Sequence, residues 1–251
     1  MLRSIMQLYG KRLRASDGDI GHVKDFYFND QQWVIRYVIA DTGSWLLGRL
    51  VLISPYAFGS FHQDGDCLLV NLTRQQVENS PPNESHEPVS RQYEEEYNRY
   101  YGWPSYWVGG GLWGAGDLPW PTLGPSKQAN RGSHPGSHPH IGGDPHLRST
   151  EALSGYHILS GYHIQTSEGA IGDVADFIMD DKSWAICHLV VETGHWFSRK
   201  EIVISPKDIE HISYEESKVF VKVTKEAILE APEYHAPPPV ATYHDAGNLD
   251  Q

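Results

Sequence analysis

Cysteine is nearly absent from this chain. Its 251 residues include two, Cys67 and Cys187, too few to staple a small disulfide-rich secreted scaffold. Basic residues are also in short supply, with 20 Lys and Arg against 32 Asp and Glu and a formal net charge of -12. A phosphate backbone is on average repelled by such a chain, so nucleic acid is not an expected partner. No apolar run approaches the roughly 20 residues that cross a bilayer. Met1 to Tyr9 carries neither the apolar stretch nor the small-residue cleavage site of a signal peptide. These absences predict a cytoplasmic protein without membrane insertion.

What the chain does contain is a long internal repeat. Gly10 falls on Gly161, and the same shift of 151 positions carries the first copy onto the second without a gap as far as Pro81. Ser16, Gly18, Ile20, Gly21, Val23, Asp25 and Phe26 meet Ser167, Gly169, Ile171, Gly172, Val174, Asp176 and Phe177. Trp33, Ile35, Thr42, Gly43, Trp45, Ile53, Ser54 and Pro55 meet Trp184, Ile186, Thr193, Gly194, Trp196, Ile204, Ser205 and Pro206. A period this long gives each copy enough residues for a core of its own, unlike a solenoid repeat. The expected organisation is a first unit over 1–81, an arm and linker over 82–150, a second unit over 151–232 and a tail over 233–251. The cysteines are not matched between copies, since Cys67 meets Lys218 and Cys187 meets Arg36. That favours two unmatched buried thiols over a disulfide.

Within a copy the signals are those of short strands and turns. Gly10 to Ala15 reads as a strand closed by a turn at Ser16-Asp17-Gly18. The next segment, Ile20 to Phe28, places Ile20, Val23, Phe26 and Phe28 out of phase with strict alternation, which predicts a bulge between Gly21 and Asp25. A turn at Asn29 to Gln32 leads into a strand from Trp33 to Asp41 that is apolar on both faces, so it should be central and covered. Strands at Arg49 to Ser54 and Cys67 to Leu72 follow, and Pro55 stops the former. Thr73 with Gln76 forms a capping box for a short helix, whereas Thr224 has Ala227 in the reciprocal position. The fold class is therefore mainly all-β: two small antiparallel barrels of five or six strands, each ending in a short helix.

Between the copies the composition changes. Tyr97, Tyr100, Tyr101, Trp103, Tyr106, Trp107, Trp113 and Trp120 lie there, with four of the chain's eight tryptophans. A solvated linker would not carry them, so these eight residues are the candidate protein-interaction site, docking on a barrel, a second subunit or another protein. The Gly/Pro/Ser/His-rich stretch from Ser126 to Asp144 should be flexible. Pro88 and Val89 meet Pro239 and Val240 under the same shift, which makes the tail beyond Pro232 a shortened version of the arm.

Candidate chemistry is sparse. His134, His138, His140 and His146 crowd within one tract, but without cysteine or a helical His pair they do not predict a metal site. Asp17 and Glu168, Asp25 and Asp176, and Asp41 and Glu192 are each one acidic position seen twice, expected to accept backbone N–H bonds at turns and at the bulge. Gly18-Asp19-Ile20-Gly21 lacks the G-x-G-x-x-G and Walker patterns and reads as a turn. Ser54 and Ser205 stand in no G-x-S-x-G context. No catalytic, cofactor or metal residue is assigned.

The ordered set from Ser16-Asp17-Gly18-Asp19-Ile20-Gly21 through Val23, Asp25-Phe26, Trp33, Trp45 and Ile53-Ser54-Pro55 resembles the PRC-barrel family, and the second copy resembles it in the same order. The resemblance implies six-stranded barrels like the cytoplasmic barrel of the photosynthetic reaction centre, binding other proteins without catalysis or cofactor. The functional expectation is thus a non-enzymatic assembly or scaffold module that self-associates, with a stress role as one setting. One alternative is a peripheral cytoplasmic component of a photosynthetic or electron-transfer complex. Another is a small-ligand protein or enzyme with a pocket between the barrels, where Tyr37, His188 and linker aromatics would meet.

Overall fold

The computed structural model describes residues 1–58, 63–64, 67–82, 89, 91–119, 148–149, 162–194, 200–213 and 215–235. The first half contains β1 (Leu2–Ser4), β2 (Arg12–Ala15), β3 (Gly18–Asn29), β4 (Val34–Asp41), β5 (Leu50–Ile53), β6 (Gln63–Asp64), β7 (Cys67–Leu69), α1 (Arg74–Glu78) and α2 (Arg91–Tyr101). The second contains β8 (Arg148–Ser149), β9 (His163–Thr166), β10 (Gly169–Asp180), β11 (Ile186–Thr193), β12 (Glu201–Ile204), β13 (Ile209–Ser213), β14 (Lys218–Val221) and α3 (Lys225–Glu230). The chain is mostly β and forms two sheets, ordered β5-β4-β3-β2-β7-β6 and β12-β11-β10-β9-β14-β13. Strand for strand these are the same path. No ladder joins β5 to β6 or β12 to β13 among the described residues, so backbone bonds do not close either sheet.

Several local expectations meet their geometry directly. β3 shifts register between Val23 and Asp25, and β10 shifts between Val174 and Asp176. At each shift the carboxylate turns back onto the freed amide, Phe26 N–H donating to Asp25 and Phe177 N–H to Asp176, both at 2.7 Å. Thr73 and Gln76 exchange both bonds of the capping box, and Thr224 keeps the single bond from Ala227 N–H. Asp17 and Glu168 accept from the first amides of α1 and α3. Ser54 and Ser205 accept from the amide two residues on, holding the Ser-Pro turn.

Four details differ from expectation. Each sheet contains one parallel ladder, β2 with β7 and β9 with β14, because the long excursion between those strands frees them from hairpin connection. Trp33 does not begin a strand: with φ 55°, and 59° at Trp184, it is the left-handed residue that closes the turn before β4 and β11. Gly21 lies inside β3 rather than in a turn, because the backbone of Asp41 crosses so closely that a Cβ there would sit 2.0 Å from its carbonyl oxygen. Cys187 is half-buried rather than buried, while Cys67 is fully buried.

The two halves share one continuous core and are related by a pseudo-two-fold axis. Val34 bridges Ala185, its own counterpart under the repeat. Ile35 N–H donates to the Trp184 carbonyl at 2.9 Å, and Ile186 N–H donates to the Trp33 carbonyl at 2.7 Å. Phe26, Phe28, Phe177, Met179 and Trp184 are buried in one cluster across this axis. Strand exchange follows the same symmetry. β1 adds to β10 with Arg3 opposite Met179 and Ser4 opposite Ile178, and β8 adds to β3 with Arg148 opposite Phe28 and Ser149 opposite Tyr27. Both borrowed strands carry an Arg-Ser pair, Arg3-Ser4 and Arg148-Ser149. The interface is isologous, as between subunits of a two-fold dimer, but here it is satisfied within one chain.

Candidate functional site

The arm is built on α2. Tyr93, Tyr97 and Tyr101 recur every four residues and so share a helix face, which covers the outer side of β4 and β5 around Tyr37, Ile39 and Leu52, with Val89 beside them. Tyr97 is fully buried, donates to the Leu52 carbonyl at 2.8 Å and accepts from Ser54 N–H at 3.2 Å. Tyr100 and Tyr101 donate to the Gln76 carbonyl in the middle of α1, at 3.0 and 3.4 Å. Trp103 stacks on Tyr101 at 4.4 Å and leans on Tyr56. Trp107 meets Tyr106 edge-on at 4.9 Å beneath the Arg91 guanidinium. Seven of the eight expected interaction residues are thus engaged within their own chain. Trp120 lies outside the described residues, as do His134, His138, His140 and His146.

Under the arm sits an ionic cluster that the aromatic pattern does not announce. Glu94, with no exposed surface, accepts from the hydroxyls of Tyr37 at 3.0 Å and Tyr106 at 2.8 Å, and from Arg91 at 3.2 Å. Arg36, also buried, lies 3.8 Å over the Tyr106 ring and 4.7 Å from that of Trp113. It donates to the Leu112 carbonyl at 2.6 Å and to Gln32 Oε1 at 2.5 Å, and its Nε has no partner among the described residues. Desolvation lowers its pKa to about 10, with Tyr106 and Glu94 opposing that shift. Burial first, and the Glu94 charge second, push the Tyr37 and Tyr106 hydroxyls well up, so both remain donors. The only sequence sign of this cluster is a lone arginine in an apolar strand.

Trp113 completes the assembly across the pseudo-two-fold. Its indole N–H donates to the Ser183 carbonyl at 2.7 Å, in the turn before β11, and its own carbonyl accepts from Tyr56 at 3.2 Å. The groove it fills has three walls, each touched by Trp113: the turn at Ser183 in the second half, β4 at Arg36, and Tyr56 beyond the Ser54-Pro55 pair. The repeat supplies the same three walls on the other side of the pseudo-two-fold axis. There the Asp30–Trp33 turn faces Ile186–His188 and Ser205-Pro206-Lys207, enclosing a half-open groove of about 890 Å³. Arg36, Tyr37 and Tyr56 are replaced by Cys187, His188 and Lys207. The first set is buried, whereas Cys187 and His188 are half-exposed and Lys207 is exposed. His188 therefore lines a groove between the halves, but Tyr37 does not reach it, being held under α2 by Glu94.

Among the described residues no group of three or more His, Cys, Asp or Glu side chains is arranged to hold a metal ion. No described helix is long and apolar enough to cross a membrane. The fold and its grooves define a β-rich tandem chain with internal two-fold symmetry. No protein-family model matches it, and no curated protein matches it.

Proposed function

We propose that this chain is a non-catalytic protein-binding and scaffold module whose two bent sheets are barrels of the PRC type. The resemblance of the repeated residues to that family supports the barrel reading, as do the long bulged strands β3 and β10, which bend as a barrel wall does. Their repeated polar side chains are occupied with backbone amides: Asp25 and Asp176 at the bulges, Asp17 and Glu168 at the helix starts, Ser54 and Ser205 at the turns. One observation carries the binding function. Two equivalent grooves flank the two-fold, and an aromatic segment seals one while the other stands open among the described residues, with half-exposed walls. A scaffold that already holds one protein segment in this way is suited to hold another.

The test is cross-linking in cells of the source, followed by reconstitution of each captured protein with the purified chain and calorimetry. A saturable complex of fixed stoichiometry is expected. Failure of every captured protein to re-form a complex, together with turnover of a small molecule abolished by His188→Ala, would overturn the proposal.

A further inference from the structure

The pseudo-two-fold axis makes the two grooves comparable wall by wall, and the filled one shows what such walls accept. In the filled groove the ligand is a turn-rich, glycine-containing segment that inserts two aromatic rings, Tyr106 and Trp113. Its polar recognition is narrow. An indole N–H meets the carbonyl of the third residue of the opposing turn, at Ser183, while Arg36 and Tyr56 each take a backbone carbonyl of the inserted segment. Apolar ring faces supply most of the contact, and three directed bonds fix the register.

The open groove keeps the features that do not depend on side-chain identity. The Gln32 carbonyl occupies the place of the Ser183 carbonyl under the repeat. Trp33, half-buried, stands where Trp184 stands, and Pro206 repeats Pro55. Ile186 and Ile212 give the floor apolar surface. What has changed is the donor set, from the fixed guanidinium of Arg36 and the phenol of Tyr56 to the small thiol of Cys187 and the flexible ammonium of Lys207. The groove is therefore roomier and carries a cationic donor on a movable stem.

From this equivalence we propose that the open groove is the docking site for a tryptophan- or tyrosine-bearing segment of a partner protein. The partner inserts its aromatic ring between Trp33 and Pro206, donates the ring N–H or O–H to the Gln32 carbonyl, and offers a main-chain carbonyl or neighbouring carboxylate to Lys207. The inference rests on the protein-binding reading above and names the chemistry of what is bound. It also gives the asymmetry between the copies a role: one groove is closed in cis by the arm, which fixes the two halves together, and the other is left for a ligand in trans.

The experiment uses the full chain and a fluorescein-labelled peptide of residues 103–119, the segment that fills the equivalent groove, read by fluorescence anisotropy. Three proteins are compared: the natural chain, a Cys187→Arg/Lys207→Tyr variant that restores the donors of the filled groove, and a Cys187→Trp variant that plugs the open one. The altered positions are half-exposed or exposed, so the fold tolerates the changes. Saturable binding to the natural chain is expected, at least tenfold tighter to the double variant, lost with the plugged variant and lost when the peptide carries Trp113→Ala. Binding that persists in the plugged variant means that the peptide has displaced the arm from the first groove, and it overturns the proposal. So does binding that appears only after residues 236–251 are removed, which assigns the groove to this chain's own tail. So does saturation of neither the natural chain nor the double variant. A reconstituted partner that binds the plugged variant as well as the natural chain leaves the protein-binding reading standing and removes the groove assignment alone.

Discussion

Replacing Trp113 by alanine tests whether the arm is held by the groove or merely rests on it. Trp113 is 3% exposed, contacts Tyr56 edge-on at 5.2 Å and Arg36 at 4.7 Å, and bonds across the two-fold to Ser183. Truncating a buried tryptophan costs about 3–5 kcal/mol. The lost indole bond is part of that figure, worth about 1 kcal/mol. Because α2 also keeps bonds outside that segment, from Tyr97 to the Leu52 carbonyl and from Tyr37 to Glu94, the loss should fall on the segment from Trp103 to Gly116 rather than on both sheets. Hydrogen exchange followed by mass spectrometry resolves this. The amides of Gly111 and Trp113, bonded to the Gly114 and Gly116 carbonyls, are the reporters. A loss of about 3 kcal/mol in local opening energy speeds exchange there roughly a hundredfold, with the core strands little changed. Exchange within threefold of the natural chain, together with an unchanged urea midpoint, would refute the claim that Trp113 anchors the arm.

Three further outcomes follow from the same geometry. Glu94→Leu strands the Tyr37 and Tyr106 hydroxyls and leaves Arg36 without a compensating charge, and should destabilise by about 3–5 kcal/mol in urea unfolding, whereas Glu94→Gln keeps an acceptor and loses less. Gly21→Ala should destabilise by about 3 kcal/mol or more because the new Cβ meets backbone and φ is +131°, while Gly10→Ala, with open space around it, pays only the left-handed strain of about 1 kcal/mol; comparable midpoints for the two would contradict the strand-crossing argument. Asp176 is raised by burial, against the bonds from Ser4, Met6 and Phe177. Its folded pKa lies above its unfolded one, so the stabilisation from its protonated form is complete below the usual carboxylate value near about 4 and is lost as pH rises through the raised value. Asp176→Asn should therefore match or exceed the natural chain in stability at neutral pH and flatten that part of the pH profile. A clear destabilisation at pH 7 with an unaltered profile would count against the burial argument.

The bulges, the Ser-Pro turns, the capping box and the acidic turn residues were legible because each is decided within a few residues by hydrogen-bond geometry. Out-of-phase Ile20, Val23 and Phe26 demand a register shift wherever they fold, and Thr73 with Gln76 caps whatever helix follows. The aromatic arm was legible as adhesive, though its helix was not, since Tyr93, Tyr97 and Tyr101 at four-residue spacing lay among many other aromatics. β1 and β8 were not visible. Two or three residues show no alternation, and only an open strand edge elsewhere gives them a reason to be strands. Glu94 was equally silent and Arg36 showed only as a lone charge in an apolar strand, because their burial depends on two phenols and a second charge that converge from distant segments. By itself the sequence determined two copies of one bent sheet and the polar contacts that shape each. Tertiary structure alone decided that the copies face each other across a two-fold and exchange their leading strands. It also decided that one of two equivalent grooves is sealed by the arm, because those pairings depend on which surfaces remain uncovered after each half has folded.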